Sequence, residues 1–444
     1  MPVRSGFQTE FRCLPILILG LAILFSGCSK EPEFRLNSAK LRAQEKIELG
    51  KGESYSEVHK RDIGNLLTAM FGTPNDPHFP KISEDFQDLV DLEKLRMAAG
   101  PVKSDRDGNP QGLYREHCAS CHGISGNGIG PSAAILNPYP RDFRLGKFKF
   151  KQTAVNTPPS DHDLTRVIRN GVPGTGMPSF RTLSDTEVES LVDYVKYLAI
   201  RGQVERGLIK LLADLGEDER LVDLNYGFSQ STPSSDADSE GEKKTDTEAA
   251  SPQEIDDKRL EQLDIVVNDV MFDLFEAWYD ANESPLEIPD PPASFPVEHP
   301  DHAKLVAQGR ELFFGKANCL QCHGNTGLGD GGQVNYDDWT LDWSKDTGAN
   351  LQQPETYQEF LQLGVLKPRQ LRPRNLRMGV FRGGNRPKDI YHRVSEGIEG
   401  TPMPATLTLT DEEKWALVAY VMNMPYEKKP YPQPGGTKSS ANPK

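Results

Sequence analysis

Two short segments of the sequence each place two cysteines and a histidine within five residues. They are HCASCHG at 117–123 and NCLQCHG at 318–324. On a helix, cysteines three residues apart point to the same side, and the histidine after the second cysteine lies beside them. Two thiols on one face can add to the two vinyl groups of one haem, and the adjacent imidazole can then reach the iron. This chemistry predicts haem attachment and iron ligation by Cys118, Cys121, His122, Cys319, Cys322 and His323.

Other uses of paired cysteines fit these segments less well. A zinc site made from both pairs would draw its ligands from two widely separated stretches of chain, whereas structural zinc sites use closely spaced pairs. A thioredoxin-like redox pair belongs in a βαβ setting, and no such pattern surrounds either segment. Of the six cysteines, the remaining two are Cys13, inside an N-terminal apolar run, and Cys28, just after it.

The two cysteine segments belong to an internal duplication. PRDFRLGKFK at 140–149 returns as PRNLRMGVFR at 373–382, and MPSFRTLSDTEVESLVDYV at 177–195 aligns without a gap with MPATLTLTDEEKWALVAYV at 403–421. The order of cysteine segment, basic phrase, short helix, glycine-rich loop and final helix is the same in both copies. A duplicated unit of roughly a hundred residues has the size of an independent domain.

The duplication also selects a second candidate ligand for each iron. Met177 and Met403 occupy the same repeat position, and each precedes a proline, which favours extended backbone at the methionine. Two glycines come before each of them, and glycine lets backbone approach a flat macrocycle closely. A lone methionine is usually a core filler, but the shared position favours ligation by Met177 and Met403. The residues His117, His162, His392 and Met378 have no counterpart of their own type in the other repeat.

The N-terminus has the pattern of an export signal. Arg4 and Arg12 precede the apolar run CLPILILGLAILFSG at 13–27, which is short for a membrane span and suits a signal peptide. LFSGC resembles a bacterial lipoprotein cleavage box, with Phe25 where leucine is usual, and it predicts lipidation of Cys28. Plain cleavage and an uncleaved anchor are the alternatives. In each case we expect an exported chain, periplasmic or lipid-anchored on the outer face of a membrane.

The rest of the chain divides around the two repeats. After the signal peptide at 1–27, residues 28–105 form a tether and an N-terminal extension, with the tether at 29–52 and a helix at 56–72. The first domain covers 106–201 and the second 301–426. Between them, 202–300 is acidic: 229–254 has the composition of a disordered segment, and an apolar stripe at helical spacing over 263–278 predicts a helix that docks on another element. Residues 427–444 form a tail rich in proline, glycine and serine.

Each repeat resembles a class I cytochrome c domain, and the whole chain resembles exported di-haem cytochromes c of bacterial respiratory chains. The resemblance implies a mainly α fold: two tandem helical domains, joined by an acidic, partly disordered segment, with two covalently bound haems c. It places the cysteine helix on the proximal side of each haem and the methionine loop on the distal side. Ser184 with Glu187, and Thr410 with Glu413, have the pattern of capping boxes that open the final helices. In this family a proline carbonyl often orients the ligating histidine; Pro131 fits that role in the first repeat, and the second repeat has no equivalent.

The basic phrases offer partners for the haem propionates, because arginine binds carboxylates in a bidentate manner. The candidates are Arg141, Arg144, Arg374 and Arg377, with Lys149 and Arg382 at the ends of the phrases. The alternative is that these are solvated charges around a structural glycine turn. Both interpretations stay open at this stage.

Three classes of function remain. The first is an electron carrier with redox proteins of a respiratory chain as partners and an N-terminal lipid in the membrane. The second is a di-haem peroxidase or sulfur-compound oxidase, which needs an open or exchangeable iron. The third is the haem subunit of a larger redox complex. The net charge is −14, and no stripe of lysine and arginine indicates nucleic-acid binding.

Overall fold

A computed structural model describes residues 31–50, 52–216, 219–222, 252–283 and 285–427. The predicted signal peptide, the Cys28 lipidation site, nearly all of the 229–254 segment and all but the first residue of the tail lie outside these ranges. Among the described residues, no helix combines the length and apolar character needed to cross a membrane.

The described residues are mainly helical, as predicted. One small antiparallel sheet pairs β1 (Lys103–Ser104) with β2 (Pro110–Gln111). The α-helices, in chain order, are α1 Ser38–Glu48, α2 Glu57–Phe71, α3 Leu92–Ala98, α4 Leu113–His117, α5 Ala119–His122, α6 Asp161–Asn170, α7 Asp185–Leu211, α8 Pro252–Val266, α9 Phe272–Glu283, α10 His302–Phe314, α11 Leu320–His323, α12 Asp338–Ser344, α13 Gln358–Gln362, α14 Pro387–Glu396 and α15 Asp411–Asn423.

Helix α7 organises the first repeat. It begins with the predicted capping box, in which the Ser184 side chain accepts from the Glu187 amide and the Glu187 carboxylate accepts from the Ser184 amide. Its buried side chains pack on α2, α3 and α4, and the Tyr197 hydroxyl donates to the Phe71 carbonyl at 2.6 Å. The helix expected at 56–72 is therefore present as α2 and belongs to the core of the first repeat.

The apolar stripe at 263–278 packs on the C-terminal part of α7, in agreement with the prediction that it docks on another element. A π-helical segment, Val267–Met271, joins α8 to α9. Met271, Phe275 and Trp278 are buried, and the Trp278 indole donates to the Gln203 side chain at 3.0 Å. At the crossing, a methyl group on Gly207 would collide with Val270, so the small residue lets the helices approach closely.

The second repeat has its own core. Helices α10 and α15 cross where Gly309 lies against the Ala416 carbonyl with no room for a side chain. The second predicted capping box is present, with Thr410 and Glu413 at the start of α15. Helix α15 ends at Asn423, so it is less than half as long as the 27-residue α7.

The segment expected to be a tether contains helix α1 instead. Leu41 is buried in the core of the first repeat, while Ala43 packs with Trp343, Tyr357 and Phe360 of the second repeat. The charges that suggested a solvated tether are paired: the Arg42 Nε donates to the Glu359 carboxylate at 3.1 Å. A charged segment can therefore be ordered when its partners lie far along the chain.

An insertion in the second repeat, at 332–372, lies against the first repeat. Within it, Arg369 donates to the Leu136 carbonyl at 2.6 Å, and Asp342 accepts from Arg206 at 2.6 Å. The Trp339 indole donates to the Asp142 carbonyl at 3.0 Å. The two repeats are therefore in direct contact, in addition to being joined by the acidic segment.

Candidate functional site

The first cysteine segment forms one wall of a cavity. Helix α4 ends at His117, and the short α5 begins one residue later, so that the His122 amide donates to the Cys118 carbonyl at 2.9 Å. Cys118, Cys121 and His122 all line the cavity, and Met177 lines it as well. The structure thus brings the predicted attachment residues and the predicted distal ligand of the first repeat to one space.

The first cysteine of each pair is largely buried. Burial raises the pKa of Cys118 to about 12 and that of Cys319 to about 11. Within the described ranges, no group of three or more His, Cys, Asp and Glu side chains could hold a metal ion. The two cysteine pairs lie in separate repeats, as the haem interpretation requires.

Both proximal histidines are oriented by the duplicated basic phrase. His122 Nδ1 lies 2.9 Å from the Arg141 carbonyl, and His323 Nδ1 lies 3.2 Å from the Arg374 carbonyl. This contact makes Nδ1 the protonated nitrogen and leaves Nε2 free as an iron ligand. Burial also lowers the pKa of both histidines, which favours the neutral imidazole that binds a metal.

The expectation for Pro131 is therefore corrected, because the carbonyl at His122 belongs to Arg141. The second repeat, where a proline equivalent was missing, has the same arrangement through Arg374. Sequence reasoning missed both carbonyls because a main-chain oxygen carries no side-chain signature. The identical Pro-Arg dipeptides at 140–141 and 373–374 were the available signal.

The two methionine loops have the same internal hydrogen bonds. In the first, the Val172 amide donates to the Met177 carbonyl at 3.1 Å and the Met177 amide donates to Thr175 Oγ1 at 3.1 Å. In the second, the Ile398 amide donates to the Met403 carbonyl at 3.1 Å and the Met403 amide to Thr401 Oγ1 at 3.2 Å. Methionine, threonine and glycines thus hold one loop shape in both repeats.

A positive φ explains the first glycine of each loop. Gly171 and Gly397 have φ angles of 64° and 75°, where residues with a side chain are strained. A Cβ at either position would also meet the backbone around the methionine and the proline that follows it. These glycines bring the end of the preceding helix close to the methionine that the loop presents.

The four candidate propionate arginines separate into two pairs. Arg144 donates twice to Asp142, at 3.0 and 2.8 Å, and Arg377 donates to the Met424 carbonyl at 3.2 Å and to Glu427 at 2.8 Å. In contrast, Arg141 Nη1, Arg374 Nε and Arg382 Nε are buried without a hydrogen-bond partner. A buried donor without a partner is costly, so the second group has capacity for an acceptor.

Arg141 and Lys149 are buried cations on the same side of the cavity. Burial, opposed by Asp337, lowers the pKa of Arg141 to about 9, and burial together with the Arg141 charge lowers the pKa of Lys149 to about 7. The carboxylates of Asp337 and Asp338 lie close to both cations. A carboxylate-bearing macrocycle would supply acceptors for the unpartnered arginine donors, so the residues present fit haem.

Arg141 and Arg374 each extend toward the methionine loop of the opposite repeat. A methyl group on Gly400, in the second methionine loop, would lie 3.5 Å from Nη1 of Arg141 in the first repeat. A methyl group on Gly174, in the first methionine loop, would lie 3.2 Å from Nη2 of Arg374 in the second repeat. The arginine whose carbonyl holds one histidine therefore reaches the methionine loop of the other repeat.

Comparison with known proteins agrees with this geometry. Residues 106–195 match the family described as cytochrome C oxidase, cbb3-type, subunit III, and residues 306–425 match the family described as cytochrome c. No curated protein matches the chain. Among solved structures, a chain of the Kuenenia stuttgartiensis reducing HAO-like protein complex aligns at 23% identity over 73% of this chain and 98% of that chain, with a TM-score of 0.43. By its motifs and by both family matches, this chain carries two cytochrome c domains.

Proposed function

We propose that this protein is a di-haem c-type cytochrome that carries electrons between redox proteins of a bacterial respiratory chain, outside the cytoplasmic membrane. The observation that carries the proposal is a constellation that is built twice. In each repeat, a pair of cysteines stands beside a histidine whose Nδ1 contacts an arginine carbonyl, and a methionine is presented by the same hydrogen-bonded loop.

The chain's own residues have distinct roles in this proposal. Cys118, Cys121, Cys319 and Cys322 would hold the haems through thioethers, while His122 with Met177 and His323 with Met403 would bind the two irons. Haem c supplies an iron that changes reversibly between the ferric and ferrous states. Arg141 and Arg374 pair with propionates, and Arg144 and Arg377 mainly stabilise the protein around them.

Haem content tests the proposal directly. Denatured protein should retain haem on a gel and yield two haems c per chain by the pyridine haemochrome assay. Cys319→Ala should lower the yield to one, and Met177→Ala and Met403→Ala should each remove one near-infrared sulfur-to-iron band from the oxidised spectrum. A yield of one haem in the wild type, or zinc in its place, would contradict the proposal.

Carbon monoxide separates a carrier from a di-haem peroxidase or a sulfur-compound oxidase. An iron with both a histidine and a methionine has no free coordination position, so reduced protein should bind carbon monoxide slowly or not at all. Met403→Ala opens the second iron and serves as the positive control. Fast binding to wild-type protein would favour an enzyme over a carrier.

The location outside the cytoplasm and the lipid anchor rest on the sequence of the first 28 residues. If Cys28 carries the lipid, wild-type protein should partition with membranes and Cys28→Ser should release it into the soluble exported fraction. The haem content of the released protein provides the control, because haem c attachment follows export. Equal partitioning of both proteins would contradict lipidation.

A further inference from the structure

Trp339 lies in the insertion of the second repeat, yet it lines the cavity of the first. Its indole nitrogen donates to the Asp142 carbonyl at 3.0 Å, and its ring lies 3.7 Å from the Arg141 guanidinium. Arg141 is the residue whose carbonyl holds His122. One face and one edge of this ring therefore secure the segment that orients the proximal histidine of the first repeat.

The opposite edge of the same ring contacts the second methionine loop. A methyl group on Gly400 would lie 2.7 Å from Cη2 and 2.9 Å from Cζ3 of Trp339. Gly400 precedes Met403 by three residues, and its carbonyl accepts from the Asp338 amide at 3.4 Å. The ring thus packs against Gly400, where the absence of a side chain leaves space for it.

The corresponding contact at the first methionine loop is made by arginine side chains. Around Gly174, the three atoms nearest to a methyl group all belong to the Arg374 guanidinium, and Arg382 donates to the Gly174 carbonyl at 3.2 Å. Arginine side chains are long and adjust easily, whereas an indole is rigid and has few rotamers. Of the two contacts, only the one through Trp339 offers a stiff connection.

We propose that Trp339 is a positioning residue that couples the two haem sites, by fixing the distance between the Arg141–Asp142 segment of the first site and the methionine loop of the second. The inference rests on the proposed di-haem function and extends it. A change of state at either site that moves its segment also displaces the ring, and the other site responds. Coupling between two sites through a shared element is necessarily reciprocal.

The test compares holoprotein variants by proton nuclear magnetic resonance of the oxidised form, in which haem and axial-ligand protons of each site give separate, strongly shifted signals. Trp339→Leu removes the rigid contact with both segments and should displace the signals of both sites. The control, Trp343→Phe, lies on the same helix and lines the first cavity, but it packs on Tyr357 and Phe360. It should leave the second-site signals unmoved.

A second variant approaches the contact from the other end. Gly400→Ala places a methyl group against the ring and should displace signals of the first site as well as the second. In the Trp339→Leu background, the same substitution should no longer reach the first site. The single variant Gly400→Ala remains informative if Trp339→Leu loses one haem.

The outcomes separate this inference from the proposed function. Two haems per chain, with Trp339→Leu affecting only the first site and Gly400→Ala only the second, would overturn the coupling and leave the di-haem function intact. Absence of haem from the wild type would overturn both. Loss of thermal stability without displacement of second-site signals would indicate a merely structural tryptophan.

Discussion

Arg141 and Arg374 each perform two tasks with different atoms. The main-chain carbonyl accepts from the proximal imidazole, and the guanidinium is buried with at least one donor lacking a partner. A single residue therefore connects the proximal ligand of one site to the charge balance between the sites.

Removing the buried charge should lower the potential of the adjacent site. Arg141→Gln keeps the carbonyl but loses a cation that favours the reduced iron. With an effective dielectric constant of about 20, a unit charge at about 10 Å contributes roughly 1.7 kcal/mol, or roughly 70 mV for one electron. Potentiometry with separate spectra for the two sites measures the shift.

Arg141→Lys is the matched control, because it retains the charge and loses only the forked donor geometry. It should recover most of the potential. A potential that is the same in Arg141→Gln and in the wild type would show that this cation does not influence the iron. The sequence predicted all four arginines as partners of the propionates. The structure shows that Arg144 and Arg377 already donate to nearby protein acceptors, which distinguishes them from the other two.

Helices of unequal length distinguish the two repeats. Helix α7 continues well beyond the point that corresponds to the end of α15, and its extension carries α8 and α9. Periodicity predicted the stripe on α8 and α9, because apolar residues at helical spacing need a partner surface. It could not predict α1, whose charges find partners more than three hundred residues away.

Trp278 should contribute much of the docking energy of α9. It is 1% exposed and its indole nitrogen is bonded to Gln203. Trp278→Ala should lower the free energy of unfolding by about 3–5 kcal/mol, as other large-to-small core substitutions do. Denaturant titration followed by circular dichroism measures this change.

The neighbouring residue supplies the comparison. Tyr279 is 40% exposed, so Tyr279→Ala should change the stability by about 0.5 kcal/mol or less. Equal effects of the two substitutions would mean that α9 does not depend on its buried face.

At the scale of the whole molecule, a buried ion pair joins the domains. Lys151 and Glu399 are separated by 2.5 Å, and their side chains are 4% and 6% exposed. Lys151 also donates to the Ala154 carbonyl at 2.6 Å. Burial lowers the pKa of Lys151, and the adjacent Glu399 carboxylate opposes that shift.

A double-mutant cycle should therefore show strong coupling. Glu399→Leu leaves a buried lysine without its carboxylate, which costs about 3–5 kcal/mol, whereas replacing both charges costs much less than the two single changes together. For Glu399→Leu with Lys151→Met, we expect a coupling energy on the order of 1–3 kcal/mol from denaturant titrations. Additive effects would show that the pair does not join the domains.

The duplication made the two domains and their ligand candidates predictable from sequence, because matched positions reinforce one another. The contact between the domains was not predictable. Trp339 and Arg141 meet through an insertion that only one repeat contains, so no second copy exists against which to check it. Pairing of this kind depends on tertiary geometry rather than on local pattern.

The position of α1 has a consequence for the order in which the protein matures. Ala43 packs on Trp343, Tyr357 and Phe360, which all lie in the insertion of the second repeat, so α1 cannot complete its packing before that insertion has been made. Contacts of such long sequence separation form late. Although α1 is synthesised early, it therefore becomes fixed only after the insertion of the second repeat has folded.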